Sequence, residues 1–159
     1  MYKITDNGMR THGSRFQWEL GVKQTIARTL GYPDERASLC SGAWFHYYET
    51  KLAARALNLI QGAFWEDNCR LFKIEVGGLI KVAEGKAGCT ELTLVEEIPF
   101  VSMGRTELEA LARPIFAHLS KVETGYLLAD RTMTGLRLMI EAHWTLLRAV
   151  FAKREQQNV

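Results

Sequence analysis

The chain has 159 residues, with 20 Lys+Arg against 18 Asp+Glu, a formal net charge of +2, 47% apolar and 24% charged residues. This length suits one domain, so residues 1–159 are read as a single domain. The composition excludes a disordered chain, a collagen-like chain and a disulfide-dense miniprotein, and no apolar run approaches the roughly 20 residues of a membrane-spanning helix.

Met1–Thr5 alternates weakly and predicts a short strand. Arg15-Phe16-Gln17-Trp18-Glu19-Leu20 alternates polar and apolar, as a half-buried strand does, and Gly21 follows as a turn. Gly31, Pro33 and Asp34 mark a loop over Thr29–Arg36. Ser38–Tyr48 is aromatic and apolar and predicts a strand or extended edge segment. A helix is expected from Thr50, a suitable N-cap, to Gln61. Leu52, Ala56, Leu57 and Ile60 form its apolar stripe, and Gly62 is its stop.

Arg70–Val76 is the clearest strand, expected to end at Gly77-Gly78, with Leu79–Ala83 pairing back as a hairpin arm. Glu84–Gly88 is a polar turn, and Glu91–Ile98 a further strand closed by Pro99. Thr106-Glu107-Leu108-Glu109 fits the T-x-x-E capping box at the head of a helix, with Pro114 predicting a kink or two abutting helices. A last helix is expected over Thr132–Arg154, its stripe running through Leu136, Met139, Ile140, His143, Leu147, Val150 and Phe151. Strands come first and helices last. That order predicts an α+β fold in which a small, twisted, mainly antiparallel sheet over residues 1–100 has the C-terminal helices packed on it.

Charge is unevenly spread. Residues 1–58 hold eight basic and five acidic side chains, residues 59–110 five and nine, and residues 111–159 seven and four. Mixed solvated surface accounts for this, as does steering of a charged partner. Nucleic-acid binding through the basic ends would show as affinity that falls steeply with salt. Cys40, Cys69 and Cys89 are odd in number and form no C-x-x-C pair, so zinc-knuckle and redox signatures are missing. Met1–Gly8 has no apolar core of a secretory signal, and a reduced, cytoplasmic protein is expected.

The most unusual stretch is Gly42-Ala43-Trp44-Phe45-His46-Tyr47-Tyr48-Glu49. In an extended segment Trp44, His46 and Tyr48 share one face, and Phe45, Tyr47 and Glu49 the other. One face would enter the core and the other would present rings with polar tips. Such aromatic walls suit a small-molecule or nucleobase pocket, which makes Trp44, His46, Tyr48 and Glu49 candidate ligand-binding residues. The same pattern also describes a plain core strand. Of Glu96-Glu97, one carboxylate can face a cleft, to hold a ribose hydroxyl or act as a base, or both can end a solvated strand. His118 and His143 lie on apolar helix sides without metal-ligand spacing, and no metal site is expected. Phosphate-binding glycine loops and a G-x-S-x-G elbow are missing, so nucleoside triphosphate use and α/β-hydrolase chemistry are not expected.

Phe16-Gln17-Trp18 with Gly21, the run Leu39–Glu49, Leu52-Ala53-Ala54 through Leu57-Asn58, Arg70–Gly78, and Lys86–Cys89 before Leu92-Thr93 together resemble a group of uncharacterised bacteriophage and prophage proteins. The resemblance spans about residues 15–100. It implies a viral accessory protein working inside a bacterial cell, and carries no activity. The function expected of it is binding of a host protein, another host macromolecule or a small ligand, centred on Trp44–Glu49, without catalysis or cofactor, as in host takeover or counter-defence. A second resemblance, to ADP-ribosyltransferases, rests on the order of His46, Tyr48 and Glu97 around a small sheet. It implies an NAD-using enzyme in which the histidine holds a ribose, the aromatic ring stacks on nicotinamide and the glutamate stabilises the oxocarbenium-like centre. The family's histidine before Gly-Thr or Gly-Ser has only His12-Gly13-Ser14 as its counterpart here. An exposed apolar side on the terminal helix would point to a homodimer.

Overall fold

Alternating residues are densest between Cys69 and Ile98, and there the chain builds its longest ladder. In the computed structural model, which describes residues 1–11, 16–26, 36–39, 41–61, 68–83, 86–118 and 132–149, β1 is Tyr2–Asp6, β2 Lys23–Thr25, β3 Phe45–Tyr47, β4 Cys69–Ala83 and β5 Lys86–Ile98. Helices among the described residues include α1, Lys51–Gln61; α2, Arg105–His118; and α3, Met133–Ala142. The protein is α+β, with a mainly antiparallel sheet. It divides into two compact units, Met1–Ser102 and Met103–Val159.

In the first unit β4 lies between β1 and β5, and β5 pairs beyond it with both β2 and β3. β3 takes the start of β5, with Phe45 opposite Cys89 and Tyr47 opposite Ala87. β2 takes the middle, with Lys23 opposite Thr93. The sheet curls far enough that its β1 edge touches the end of β3. There Tyr2 and Tyr48 exchange two backbone hydrogen bonds of 2.8 Å each. The enclosed core holds Trp18, Phe45, Tyr47, Phe72, Ile74, Ala87, Cys89, Leu92 and Leu94.

Gly77-Gly78 does not end the fourth strand. β4 runs through to Ala83, and the pairing shifts by one residue between Gly77 and Ile80. Gly78 has φ +68°, and a Cβ there would collide with the Thr90 side chain. A glycine in the left-handed region absorbs the extra residue as a bulge, which twists a strand without stopping it. The expected strand over 15–20 is not formed either. Residues 16–20 make only single bridges, Arg10 to Gln17 and Leu20 to Leu94, although Trp18 does turn inward and Phe16 packs against the core. The strand on that side is β2. Ser38–Tyr48 is extended only at Phe45–Tyr47. The polar turn shrinks as well, because Lys86–Gly88 already belongs to β5, while residues 84–85 lie outside the described residues.

α1 starts as expected: Thr50 Oγ1 accepts from the Ala53 amide at 3.0 Å, satisfying one of the donors a helix start leaves open. It buries Ala53, Ala54, Ala56, Leu57 and Asn58. In the second unit α2 begins one residue before the expected box. The Gly104 amide donates to Glu107 Oε2 at 3.2 Å, whereas Glu109 is paired with Arg105 four residues earlier. α2 runs through Pro114 as one helix. α3 is capped by Thr132, whose Oγ1 accepts from the Gly135 amide at 3.0 Å. It ends at His143 rather than continuing unbroken, and helical backbone resumes over 144–149. His143 is half-buried, with Nδ1 3.0 Å from the Met139 carbonyl, so it punctuates the stripe that Leu136, Met139, Ile140, Trp144 and Leu147 bury. The rest of the expected terminal helix, the His12-Gly13-Ser14 match, Cys40 and the His118 side chain lie outside the described residues. Among the described residues no helix is long and apolar enough to cross a membrane.

Candidate functional site

The ring-rich segment is where the two edges of the curled sheet meet, and its side chains divide between two cores. Phe45 and Tyr47 alternate inward. Phe45 meets Trp18 edge-on at 4.9 Å between centroids and Phe16 at 5.2 Å, arrangements that favour ring pairs beyond their buried area. Trp44 packs on the other side with Leu39 and Ala43, and its Nε1 donates to the Ala37 carbonyl at 3.2 Å. That cluster presses on Gly88 of β5, where a Cβ would come within 2.7 Å of Leu39 and 2.9 Å of Trp44. Trp44 is 4% exposed and Tyr48 9%. Neither face of the segment therefore leaves its rings in solvent. What stays half-buried are the two polar members, His46 and Glu49.

The polar candidates sit in separate settings. His46 Nε2 is hydrogen-bonded to the Leu39 carbonyl. Glu97 stands at the far end of β5, opposite Phe72, where Arg70 grips it at two points, Nε to Oε1 at 2.9 Å and Nη2 to Oε2 at 2.5 Å. The guanidinium's hydrogen bond holds the Glu97 carboxyl below the usual carboxylate range. Glu96 points to the other face and pairs with Lys73 at 2.6 Å. Both carboxylates are thus engaged in cross-strand pairs on one hairpin.

Lys3 stands out in no motif of the sequence, yet the structure places it at the centre of this region. β1 puts it opposite Phe72, 6% exposed. Its ammonium donates to the His46 carbonyl at 2.6 Å and lies 5.0 Å above the Trp18 ring. Burial pulls its pKa from 10.5 down to about 8, and the same surroundings push the Cys89 thiol up to about 12, chiefly by desolvation. Trp18 Nε1 is buried beside it with no hydrogen-bond partner among the described residues. The available signal was the alternation of β1 itself. Lys3 and Thr5 share the face opposite Ile4, and both are buried.

Lys3 thus ties β1 to β3 from inside: its aliphatic stem fills the core and its head holds the backbone of the histidine whose ring reaches the other way. Among the described residues no group of three His, Cys, Asp or Glu could hold a metal ion. Comparison of the chain with protein-family models, with curated proteins and with solved structures gives no match.

Proposed function

We propose that the protein is a binding protein without catalysis, a phage-type accessory factor that contacts a host macromolecule or small ligand in the bacterial cytoplasm. One observation carries this reading. His46 and Glu97, the groups an ADP-ribosylating site would need to turn on NAD, are held by the Leu39 carbonyl and by Arg70. A carboxylate whose charge is already matched at two points by a guanidinium offers less of it to a cationic centre elsewhere. The buried rings of Trp44, Phe45, Tyr47 and Tyr48 make a rigid base, and His46 and Glu49 are the polar tips that reach solvent from it. Rigid support of a few polar contacts lowers the ordering cost of binding. The viral and host setting rests on the sequence resemblance over about residues 15–100.

The test uses the whole chain, tagged, in bacterial lysate. Incubation with labelled NAD is expected to transfer no label to protein or nucleic acid. Retrieval of the tag is expected to bring one defined host component, lost when His46→Ala and Glu49→Ala are combined. Label transfer that disappears with Glu97→Gln would replace this reading with the transferase.

A further inference from the structure

The second half of β4 has a bare edge. β1 covers β4 only over Cys69–Lys73, and the Ile74 amide donates to the Met1 carbonyl at 3.1 Å. From Glu75 to Ala83, β4 pairs with β5 on one side, and among the described residues no strand lies on the other. An open edge is a row of backbone donors and acceptors that suits an extended chain. This one also carries apolar side chains out of the core, with Ile80 52% exposed and Val82 45%. Both belong to the face whose cross-strand neighbours, Cys89 and Ala87, are buried.

We propose that this edge pairs antiparallel with the same edge of a second copy of the chain, about a two-fold axis at Gly78. In an antiparallel pair, opposed residues share a face, so each inner residue must meet an inner one. With Gly78 at the centre, Val76 meets Ile80 and Ile74 meets Val82, apolar against apolar. On the other face Glu75 meets Lys81, twice by symmetry. Neighbouring registers that keep the faces matched lose this. Centred on Leu79, Glu75 meets Ala83 and Lys81 meets Gly77. Centred on Gly77, Lys81 meets Lys73.

Glu75 is exposed and makes no ion pair among the described residues. Lys81 is half-buried and donates to the Ala37 carbonyl at 2.9 Å. At the crossing point neither glycine interposes a side chain between the two backbones. The Gly78 bulge bends the strand there, so the pairing is carried by the arms on either side of it.

The oligomeric state decides the matter, read by light scattering on a sizing column over a range of concentrations. The intact chain is expected to form a species of twice its 18.1 kDa, and amide exchange over 75–83 is expected to slow as concentration rises. Glu75→Lys alone and Lys81→Glu alone are each expected to lose the dimer, and the two singly changed chains are expected to restore it when mixed, since each then offers what the other lacks. The doubly exchanged chain is expected to dimerise by itself. A monomer at every concentration overturns the proposal, as does a dimer indifferent to both charge reversals. Protection of 75–83 that appears only on adding a foreign extended peptide overturns it too, and assigns the edge to another protein.

Discussion

Lys3 costs the fold stability, and the cost depends on pH. A lysine whose pKa falls from 10.5 to about 8 on folding holds fewer protons in the folded state between those values. The penalty is therefore complete below about pH 8 and fades as pH climbs toward 10.5. Cys89 acts in the opposite sense. Its thiol rises from 9.0 to about 12, so above pH 9 the unfolded chain ionises first and stability falls. Stability measured by denaturant unfolding is expected to rise from pH 8 to 9, level off, and decline above pH 10.5. Lys3→Met should remove the rising limb and stabilise the protein at pH 7 by about 1–2 kcal/mol, and a loss of stability at that pH would show that the bond to the His46 carbonyl outweighs the buried charge. Two glycines offer a matched contrast. Gly21 and Gly78 both have positive φ, at 76° and 68°, but a Cβ meets nothing within 4 Å at Gly21 and collides with Thr90 at Gly78. Gly21→Ala is expected to cost about 1 kcal/mol and Gly78→Ala at least about 2 kcal/mol, read from thermal melts.

The elements show where local chemistry suffices. Thr50 caps α1 through the Ala53 amide, so Thr50→Ala should lower stability by about 1 kcal/mol, checked by chemical denaturation. That start was legible because a hydroxyl before an apolar stripe has one economical use. β1 and the strands over Arg70–Val76 and Glu91–Ile98 were legible for a like reason, the two-residue period. Their pairing was not: Leu79–Ala83, expected to fold back on Arg70–Val76, continues the same strand, and β5 pairs with both. Three other features were not legible either. Gly77-Gly78 has the composition of a turn, and only Thr90 across the ladder decides that it is a bulge. Phe16 and Trp18 alternate as a strand does, but the backbone beside them finds single bridges in place of a ladder. Glu107 rather than Glu109 reaches back over the start of α2, since the chain turns helical from Arg105. At the candidate site the crowding of rings at 44–48 was visible in the sequence. Which rings turn to which core depends on Trp18 and Leu39, distant neighbours that spacing does not reveal. The Arg70–Glu97 pair joins two well-defined strands yet stays partly exposed, with 31% and 46% of the side chains open. Glu97→Gln should therefore cost less than about 1 kcal/mol by denaturant unfolding, and that cost should shrink further at high salt.

At the scale of the whole molecule, the core around Trp18, Phe45, Phe72 and Leu94 draws every member from the first unit. A chain ending at Ser102 is expected to keep its strand signal in circular dichroism and a shielded Trp18 in fluorescence. Loss of both would show that the helical residues after Ser102 are needed to complete that fold. The meeting of Tyr2 with Tyr48 has a further consequence in time. β1 leaves the ribosome before the partners that flank it, Cys69–Lys73 and Tyr48, which are made much later. Pairings so far apart in sequence are slow to find one another. β1 must wait, unsheltered, while the hairpin it will join is still being synthesised, and a strand translated early is among the last to find its place.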